Sequence, residues 1–148
     1  MKSLHLAGPE DLGRLVTLVS AFHSEQRLEV DYATVEAALT PLLEGQPVGA
    51  VWLIGPRKAP VGYVSVSFGW SLRHGGLDAT IDELYIRPAV RRRGMGGEAL
   101  HQLTQGLRQA GVTALRLAIE PGDERLDRFF RRARFQEHAR NRLLTRVF

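Results

Sequence analysis

The stretch Ile81-Asp82-Glu83-Leu84-Tyr85-Ile86-Arg87-Pro88, followed after Ala89 and Val90 by Arg91-Arg92-Arg93-Gly94-Met95-Gly96-Gly97, decides how this 148-residue chain folds. Its first part is short, apolar and closed by Pro88, as is typical of a strand. From Gly94 to Gln109 the apolar side chains recur at helical spacing, and Gly111 marks the helix end. A glycine-rich turn therefore joins a strand to a helix.

This turn has the features of an anion-binding site. The first amide groups of a helix have no partner within the helix, and the helix dipole is positive at that end. Glycines let a ligand approach the backbone, and a pyrophosphate accepts several amide donors at once. The simpler alternative is a plain surface turn. We expect phosphate binding by the residues of the turn, which are Arg91, Arg92, Arg93, Gly94, Met95, Gly96 and Gly97.

A dinucleotide-binding turn is a second interpretation of the same glycines. Residues 94–99 match the pattern G-x-G-x-x-A, and Glu120 lies near the acidic position expected roughly 20 residues further on. However, residues 87–93 separate the first glycine from the strand, and the preceding strands follow one another like hairpins. Parallel units of the dinucleotide type are therefore disfavoured.

Working outward, the chain predicts one mixed α/β domain over residues 1–148. The predicted order is β-α-α-β-β-β-α-β-α-β, with an extended tail from Phe135 to Phe148. Pro9 and Asp31 mark the starts of the first two helices. The remaining helices are predicted at residues 94–109 and 124–134, and the strands before the tail at residues 3–7, 50–54, 62–72, 77–86 and 112–119.

Composition excludes several kinds of chemistry. The chain has no cysteine, which removes disulfides, thiolate nucleophiles and Cys-ligated metals. No apolar run approaches the ~20 residues of a membrane span, and the first residues lack the apolar core of a signal peptide, so we expect a cytoplasmic protein. The net charge is +4, and acids interleave with the arginines of the C-terminal region, which disfavours nucleic acid as the main partner.

The sequence resembles the GCN5-related N-acetyltransferase (GNAT) superfamily. Arg91, Gly94 and Gly96 match its motif Arg/Gln-x-x-Gly-x-Gly/Ala, and residues 81–88 are similar to its fourth strand. Residues 128–135, Arg-Phe-Phe-Arg-Arg-Ala-Arg-Phe, resemble its late segment Phe-Tyr-x-x-x-Gly-Phe. The order of elements agrees over essentially the whole chain.

The resemblance implies a splayed mixed sheet flanked by helices, and acetyl-coenzyme A as cosubstrate without a metal. The pyrophosphate is then expected on the amides around Arg92 to Gly97. Backbone groups of Leu84 and Ile86, with Tyr85 between them, are expected to meet the acetyl carbonyl and the pantetheine arm like an added strand.

Asp82 and Glu83 are the candidate proton acceptors. An alkyl amine with a pKa near ~10 must lose a proton before or during attack on a thioester. Strand alternation is expected to send the two acids to opposite faces, with Asp82 on the face of Leu84 and Ile86. Asp82 lines up with a proposed glutamate base of polyamine-acetylating relatives, whereas Glu83 is longer and can reach a water chain. Both being structural or substrate-orienting acids is the third alternative.

The late segment departs from the family at its proton donor. Phe130 stands where many relatives have a tyrosine, Arg134 replaces a glycine, and Asp123 replaces an asparagine. Tyr63 or Tyr85 would have to substitute as the acid. Because a thiolate leaves with little help at a pKa near ~8.5, we expect no dedicated acid.

These features predict direct acetyl transfer to a primary amine of a small molecule or peptide, without an acyl-enzyme. A noncatalytic module that binds coenzyme A or another phosphate ligand is the alternative.

The five histidines lack ligand-like spacing and are expected in surface or capping roles, although His74 could orient a substrate. Residues 143–147 of the tail could pair across a homodimer.

Overall fold

The computed structural model describes residues 2–138 and 140–148. Helices and strands follow the predicted order as far as the fourth helix. The strands are β1 (Leu4–Leu6), β2 (Gly49–Ile54), β3 (Gly62–Ser71), β4 (Gly76–Ile86) and β5 (Ala114–Arg116). The helices are α1 (Leu12–Glu25), α2 (Tyr32–Leu43), α3 (Met95–Gln109) and α4 (Glu124–Arg132).

The strands form one mixed sheet that opens at one end. Its order is β1-β2-β3-β4-β5, with every neighbouring pair antiparallel except β4 and β5. The parallel pairing joins only Asp78–Thr80 to Ala114–Arg116, while β4 continues to Ile86. The two strands therefore separate beyond Thr80 and leave a gap, which confirms the splayed mixed sheet.

Helices cover both faces of the sheet and bury its apolar side chains. Because side chains alternate along a strand, each face has its own core, and burial of apolar surface stabilises it by about 25 cal/mol per Å². The core under α1 and α2 includes Leu15, Val16, Val19, Val35, Leu39, Leu53 and Tyr63. The core under α3 and α4 includes Ile54, Val64, Ile81, Leu100, Leu103, Leu107 and Phe130.

Local signals set the helix ends. The carboxylate of Asp31 accepts a hydrogen bond from the Thr34 amide at 2.7 Å and so caps α2. Gly94 precedes α3 with φ +79°, a left-handed conformation that suits glycine. Gly111, with φ +95°, ends the same helix.

A β-bulge interrupts the pairing of β3 and β4 at Asp82. Ser65 lies opposite Glu83, but the next residue of β3, Val66, lies opposite Ile81. Asp82 is therefore the extra residue, and such a bulge resets the alternation of side chains along its strand.

The bulge overturns the alternation expected for the two acids. Ile81 and Leu84 both pack in the core under α3, although a regular strand would place them on opposite faces. Glu83 points to the other face, toward α1. Asp82, the extra residue of the bulge, also lies on the α1 side, where it interacts with the charges of Glu83 and His23. The predictions that Asp82 shares a face with Leu84 and Ile86, and that it lies opposite Glu83, are therefore wrong.

The C-terminal part of the chain differs from its prediction in two respects. Residues 135–138 and 140–148 contain no strand, and β5 is shorter than the predicted strand at residues 112–119. A strand needs a hydrogen-bonded neighbour, and within the described chain residues 142–148 have none. The last strand of the predicted order is therefore not formed in the single chain.

Candidate active site

Glu83 is held by hydrogen bonds at both carboxylate oxygens. The Tyr63 hydroxyl donates to Oε1 at 2.8 Å, and Nε2 of His23 lies 2.5 Å from Oε2. The side chain of His23 is 12% exposed and that of Glu83 is 22% exposed, so this carboxylate keeps limited access to solvent. Hydrogen bonds to a carboxylate in such a setting fix its position closely.

Three elements bring these groups together. His23 lies in the last turn of α1, Tyr63 lies on β3, and Glu83 follows the bulge of β4. The bulge removes the Glu83 amide from the regular ladder of backbone hydrogen bonds. This amide donates instead to the side-chain Oγ of Ser65 at 3.0 Å. The ring of Tyr63 is fully buried and packs edge-on against Phe22.

Charges and burial distinguish the roles of these groups. Burial, ahead of the neighbouring Glu83 carboxylate, raises the pKa of Tyr63, so its hydroxyl remains a donor to Glu83 at neutral pH. Burial and then repulsion by Glu83 raise the pKa of Asp82, whereas His23 opposes this shift. Asp82 is partly covered by the protein but remains accessible to solvent, and its side chain makes no hydrogen bond with the described residues.

His23 departs from the surface or capping role expected for the histidines. It is largely buried, and its Nδ1 has no hydrogen-bond partner among the described residues. The sequence did contain a signal, because His23 follows Val16 and Val19 at helical spacing and so belongs to the apolar face of α1. A polar side chain on a buried helix face needs a partner, which here is Glu83.

The open edge of β4 is formed by Leu84 and Ile86. The Arg87 amide donates to the carbonyl of Val61 beside β3 at 2.8 Å. Since peptide groups alternate in direction along an antiparallel strand, Leu84 and Ile86 turn their amides to the opposite side, into the gap between β4 and β5. Both expected backbone positions therefore face the gap.

Tyr85 lies differently from its two neighbours. It pairs with Tyr63 across the ladder, and its side chain is 5% exposed in the core under α1. Tyr85 therefore presents neither its amide nor its ring to the gap, and the cofactor role expected for it has no support in this geometry.

Arg91 fastens the glycine-rich turn to the rest of the site. Its Nε donates to the Ile86 carbonyl at 2.7 Å, and its Nη2 donates to both carboxylate oxygens of Glu25 at 2.8 Å. The guanidinium carbon also lies 5.7 Å from the centre of the Tyr85 ring. Arg91 is thus engaged with protein groups, and it positions the turn at the end of β4.

The rest of the turn is open toward solvent at the start of α3. Arg92, Arg93, Gly94 and Gly97 are exposed, whereas Met95 and Gly96 are half-buried. A Cβ added at Gly94 or Gly97 would meet no atom within 4 Å, so space for a ligand lies before the helix amides. At Gly96 a Cβ would lie 3.0 Å from Ile86 Cδ1 and 3.4 Å from the Phe129 ring, so glycine permits close packing there.

The late segment offers no hydroxyl to this site. Phe130 is 4% exposed and packs in the core under α3 and α4. Asp123 accepts from the Leu126 amide at 3.2 Å and caps α4. Arg134 has φ +70°, the left-handed conformation for which the family glycine is suited. The absence of a dedicated acid stays a prediction.

Other features lie apart from Glu83. His74 bonds to Ser71 in the exposed turn after β3. An apolar groove of about 520 Å³ lies under the C-terminal half of α3, and its lining contains no titratable side chain. Within residues 2–138 and 140–148, no group of three or more His, Asp or Glu side chains is placed to hold a metal, and no helix is long and apolar enough to cross a membrane.

An open mixed sheet, a bulged fourth strand and a glycine-rich turn before the next helix together define the class expected from the sequence. The sequence model of the Acetyltransferase (GNAT) family matches residues 14–135. The chain belongs to this family. This confirms the family expected from the motif.

Individual relatives are similar over different extents. "Uncharacterized N-acetyltransferase ycf52" of Pyropia yezoensis is 38% identical over 56 residues, which span 38% of this chain and 32% of that relative. One similar crystal structure is that of integron cassette protein HFX_CASS3, from the mobile metagenome of Cole Harbour Salt Marsh. It is 29% identical with a TM-score of 0.87, and the superposition covers 99% of this chain and 91% of the HFX_CASS3 chain. A possible acetyltransferase from Clostridium difficile 630 shares the fold at 16% identity, with a TM-score of 0.86. The superposition covers 98% of this chain and 97% of the Clostridium difficile chain.

Proposed function

We propose that the protein is an acetyl-coenzyme A-dependent N-acetyltransferase that transfers the acetyl group directly to a primary amine. The observation that carries this proposal is the position of Glu83. Its carboxylate is held by His23 and Tyr63, next to the bulge from which Leu84 and Ile86 turn their amides into the gap. A proton acceptor thus lies beside an edge that can bind an extended ligand.

The residues present fit acetyl-coenzyme A. The exposed turn at Gly94 and Gly97, with Arg92 and Arg93, would hold the pyrophosphate through helix amides and positive charge. The edge of β4 would hold the pantetheine arm. When bound, this cosubstrate supplies a thioester, an acyl group activated for attack by an amine. The Leu84 amide is free to donate to an oxygen on which negative charge develops.

Glu83 is proposed as the proton acceptor for the amine. An alkyl ammonium with a pKa near ~10 has to give up a proton, directly or through a water molecule. Tyr63 and His23 orient the carboxylate, and its remaining exposure gives access to the acceptor. Asp82, exposed on the same face, adds negative charge that attracts an ammonium group.

The acceptor is proposed to be the amine of a small molecule or a peptide. The two neighbouring acids favour a cationic substrate. The leaving thiolate needs little protonation at a pKa near ~8.5, which is consistent with Phe130 at the usual tyrosine position. The cytoplasmic location stays a prediction.

Binding and catalysis are tested separately. We expect acetyl-coenzyme A and coenzyme A, but not NAD, to raise the thermal midpoint, by roughly 5–10 °C at about 100 times the dissociation constant. The variant Gly97→Glu should fold, because an added side chain there meets no atom within 4 Å, but it should lose this shift, because a carboxylate then occupies the open turn. A shift with NAD alone would contradict the proposed cosubstrate.

The proton acceptor is tested with a panel of amines by release of free thiol, which a protein without cysteine cannot contaminate. Glu83→Gln should lower kcat about 100-fold or more with a small change in KM. Glu44→Gln makes the same chemical change at the exposed end of α2 and should retain full activity. Tight binding without transfer to any amine would instead favour a noncatalytic coenzyme A-binding module.

A further inference from the structure

The arginines of α4 fall into two groups. In the first group each arginine contacts an acid of the same helix: Nη1 of Arg128 lies 4.0 Å from one carboxylate, and Nε of Arg131 donates to another at 2.9 Å. In the second group are Arg125 and Arg132, which are exposed and have no acidic partner among the described residues. Their positive charges are therefore free to bind an external anion.

The two arginines without acidic partners flank Phe129 on one side of α4. Positions 125, 129 and 132 follow one another at intervals of four and three residues, so neighbouring side chains of this row lie about 5–6 Å apart on the helix surface. Phe129 packs against the start of α3, since a Cβ added at Gly96 would lie 3.4 Å from its ring. The row therefore faces the glycine-rich turn, with one arginine on each side of the contact.

The turn itself contributes two more cations. Arg92 and Arg93 are exposed, and within residues 2–138 and 140–148 neither contacts an acid. The open space before the helix amides thus has two arginines of the turn and two arginines of α4 around it. Helix amides and the arginines of the turn suffice for a pyrophosphate, so the pair on α4 is available for a further phosphate.

Coenzyme A carries such a phosphate. Besides its pyrophosphate it has a phosphoryl group on the 3′ oxygen of the adenosine ribose, which adds about −1.5 to −2 charges at neutral pH. The planar guanidinium of arginine matches two phosphate oxygens at once, so it fixes the orientation of the group as well as balancing its charge. The chemically matched ligand without this group is 3′-dephospho-coenzyme A.

We propose that Arg125 and Arg132 bind the 3′-phosphate of coenzyme A and so select this cosubstrate against its 3′-dephospho form. The inference rests on acetyl-coenzyme A as the proposed cosubstrate. The 3′-phosphate is at the opposite end of that molecule from the thioester, so the two arginines contribute to binding and specificity and take no part in acetyl transfer. Their loss is expected to raise the dissociation constant and KM, with kcat unchanged.

Calorimetric titration with coenzyme A and with 3′-dephospho-coenzyme A measures the contribution of this one phosphate. The parent protein should bind coenzyme A about tenfold more tightly or better. Arg125→Ala combined with Arg132→Ala should bind both ligands equally, with the affinity of the parent protein for the dephospho form. The matched control is Arg128→Ala combined with Arg131→Ala, which removes the same charge from the same helix and should keep the preference. Circular dichroism shows that each variant is folded.

The outcomes separate this inference from the proposed function. Equal binding of the two ligands by the parent protein would overturn the role of the arginines and leave coenzyme A as cosubstrate. Equal loss of the preference in both double variants would also overturn it, because only the overall charge of α4 would then matter. Failure of the parent protein to bind either ligand would overturn the proposed cosubstrate itself.

Kinetics with acetyl-coenzyme A give a second readout. The variant without Arg125 and Arg132 should show a KM for acetyl-coenzyme A that is raised about tenfold, at the kcat of the parent protein. A lowered kcat at unchanged KM would contradict a role in binding the 3′-phosphate.

Discussion

At the scale of single residues, His23 positions the proposed proton acceptor. Its Nε2 lies 2.5 Å from Glu83, so His23→Ala removes one of the two groups that orient the carboxylate. We expect kcat to fall about tenfold while KM changes little, because the loss affects the transition state more than substrate binding. Steady-state kinetics by thiol release measure both constants.

The conservative variant distinguishes positioning from general destabilisation. In His23→Gln an amide nitrogen can still donate to Glu83, so most of the activity should return. His101→Ala, on the exposed face of α3, is the matched control and should match the parent protein. Equal losses in His23→Ala and His23→Gln, together with a lowered thermal midpoint in both, would mean that His23 serves only the fold.

Residue types predicted part of this site and spatial contacts decided the rest. The two carboxylates were predicted as acceptors because chemistry requires one there, but the choice between them depends on partners from other elements. Glu83 is selected by Tyr63 and His23, which precede it by 20 and 60 positions. Such contacts follow from packing, and local sequence spacing does not contain them.

At the scale of elements, the end of α4 is strained at Arg134. This residue has φ +70°, where a Cβ costs about 1–2 kcal/mol. Arg134→Gly should therefore stabilise the protein by about 0.5–1 kcal/mol after the added entropy of the unfolded chain is counted. Urea unfolding measures the change. Arg128→Gly makes the same substitution in the middle of α4, where it should destabilise by about 1 kcal/mol. A loss of stability in Arg134→Gly would contradict the strain.

Element types were predictable and their pairing was not. Helical spacing and capping residues such as Asp31 and Gly94 are local signals, so the helices formed where the sequence predicted them. The bulge at Asp82 depends on the register between β3 and β4, which neither strand encodes by itself. The tail was predicted as a strand from its residues, but a strand forms only against a neighbour.

At the scale of the whole molecule, one helix end joins the two halves of the proposed site. The last turn of α1 places His23 on Glu83 and Glu25 on Arg91, which fastens the glycine-rich turn. A single nitrogen of Arg91, Nη2, lies 2.8 Å from both carboxylate oxygens of Glu25, and this charged contact ties the turn to α1. A change at Glu25 should therefore alter cofactor binding at the turn, although no cofactor contact is proposed for Glu25 itself.

A double-mutant cycle tests this coupling. Glu25→Gln should weaken acetyl-coenzyme A binding about three- to fivefold by calorimetry, since a partly exposed ion pair contributes about 0.5–1 kcal/mol. Arg91→Gln releases the same contact, so adding Glu25→Gln to it should have almost no further effect. Glu29→Gln, in the exposed segment after α1, is the control and should bind normally. If the effects of Glu25→Gln and Arg91→Gln add fully, the two residues act independently and α1 does not hold the turn through this pair.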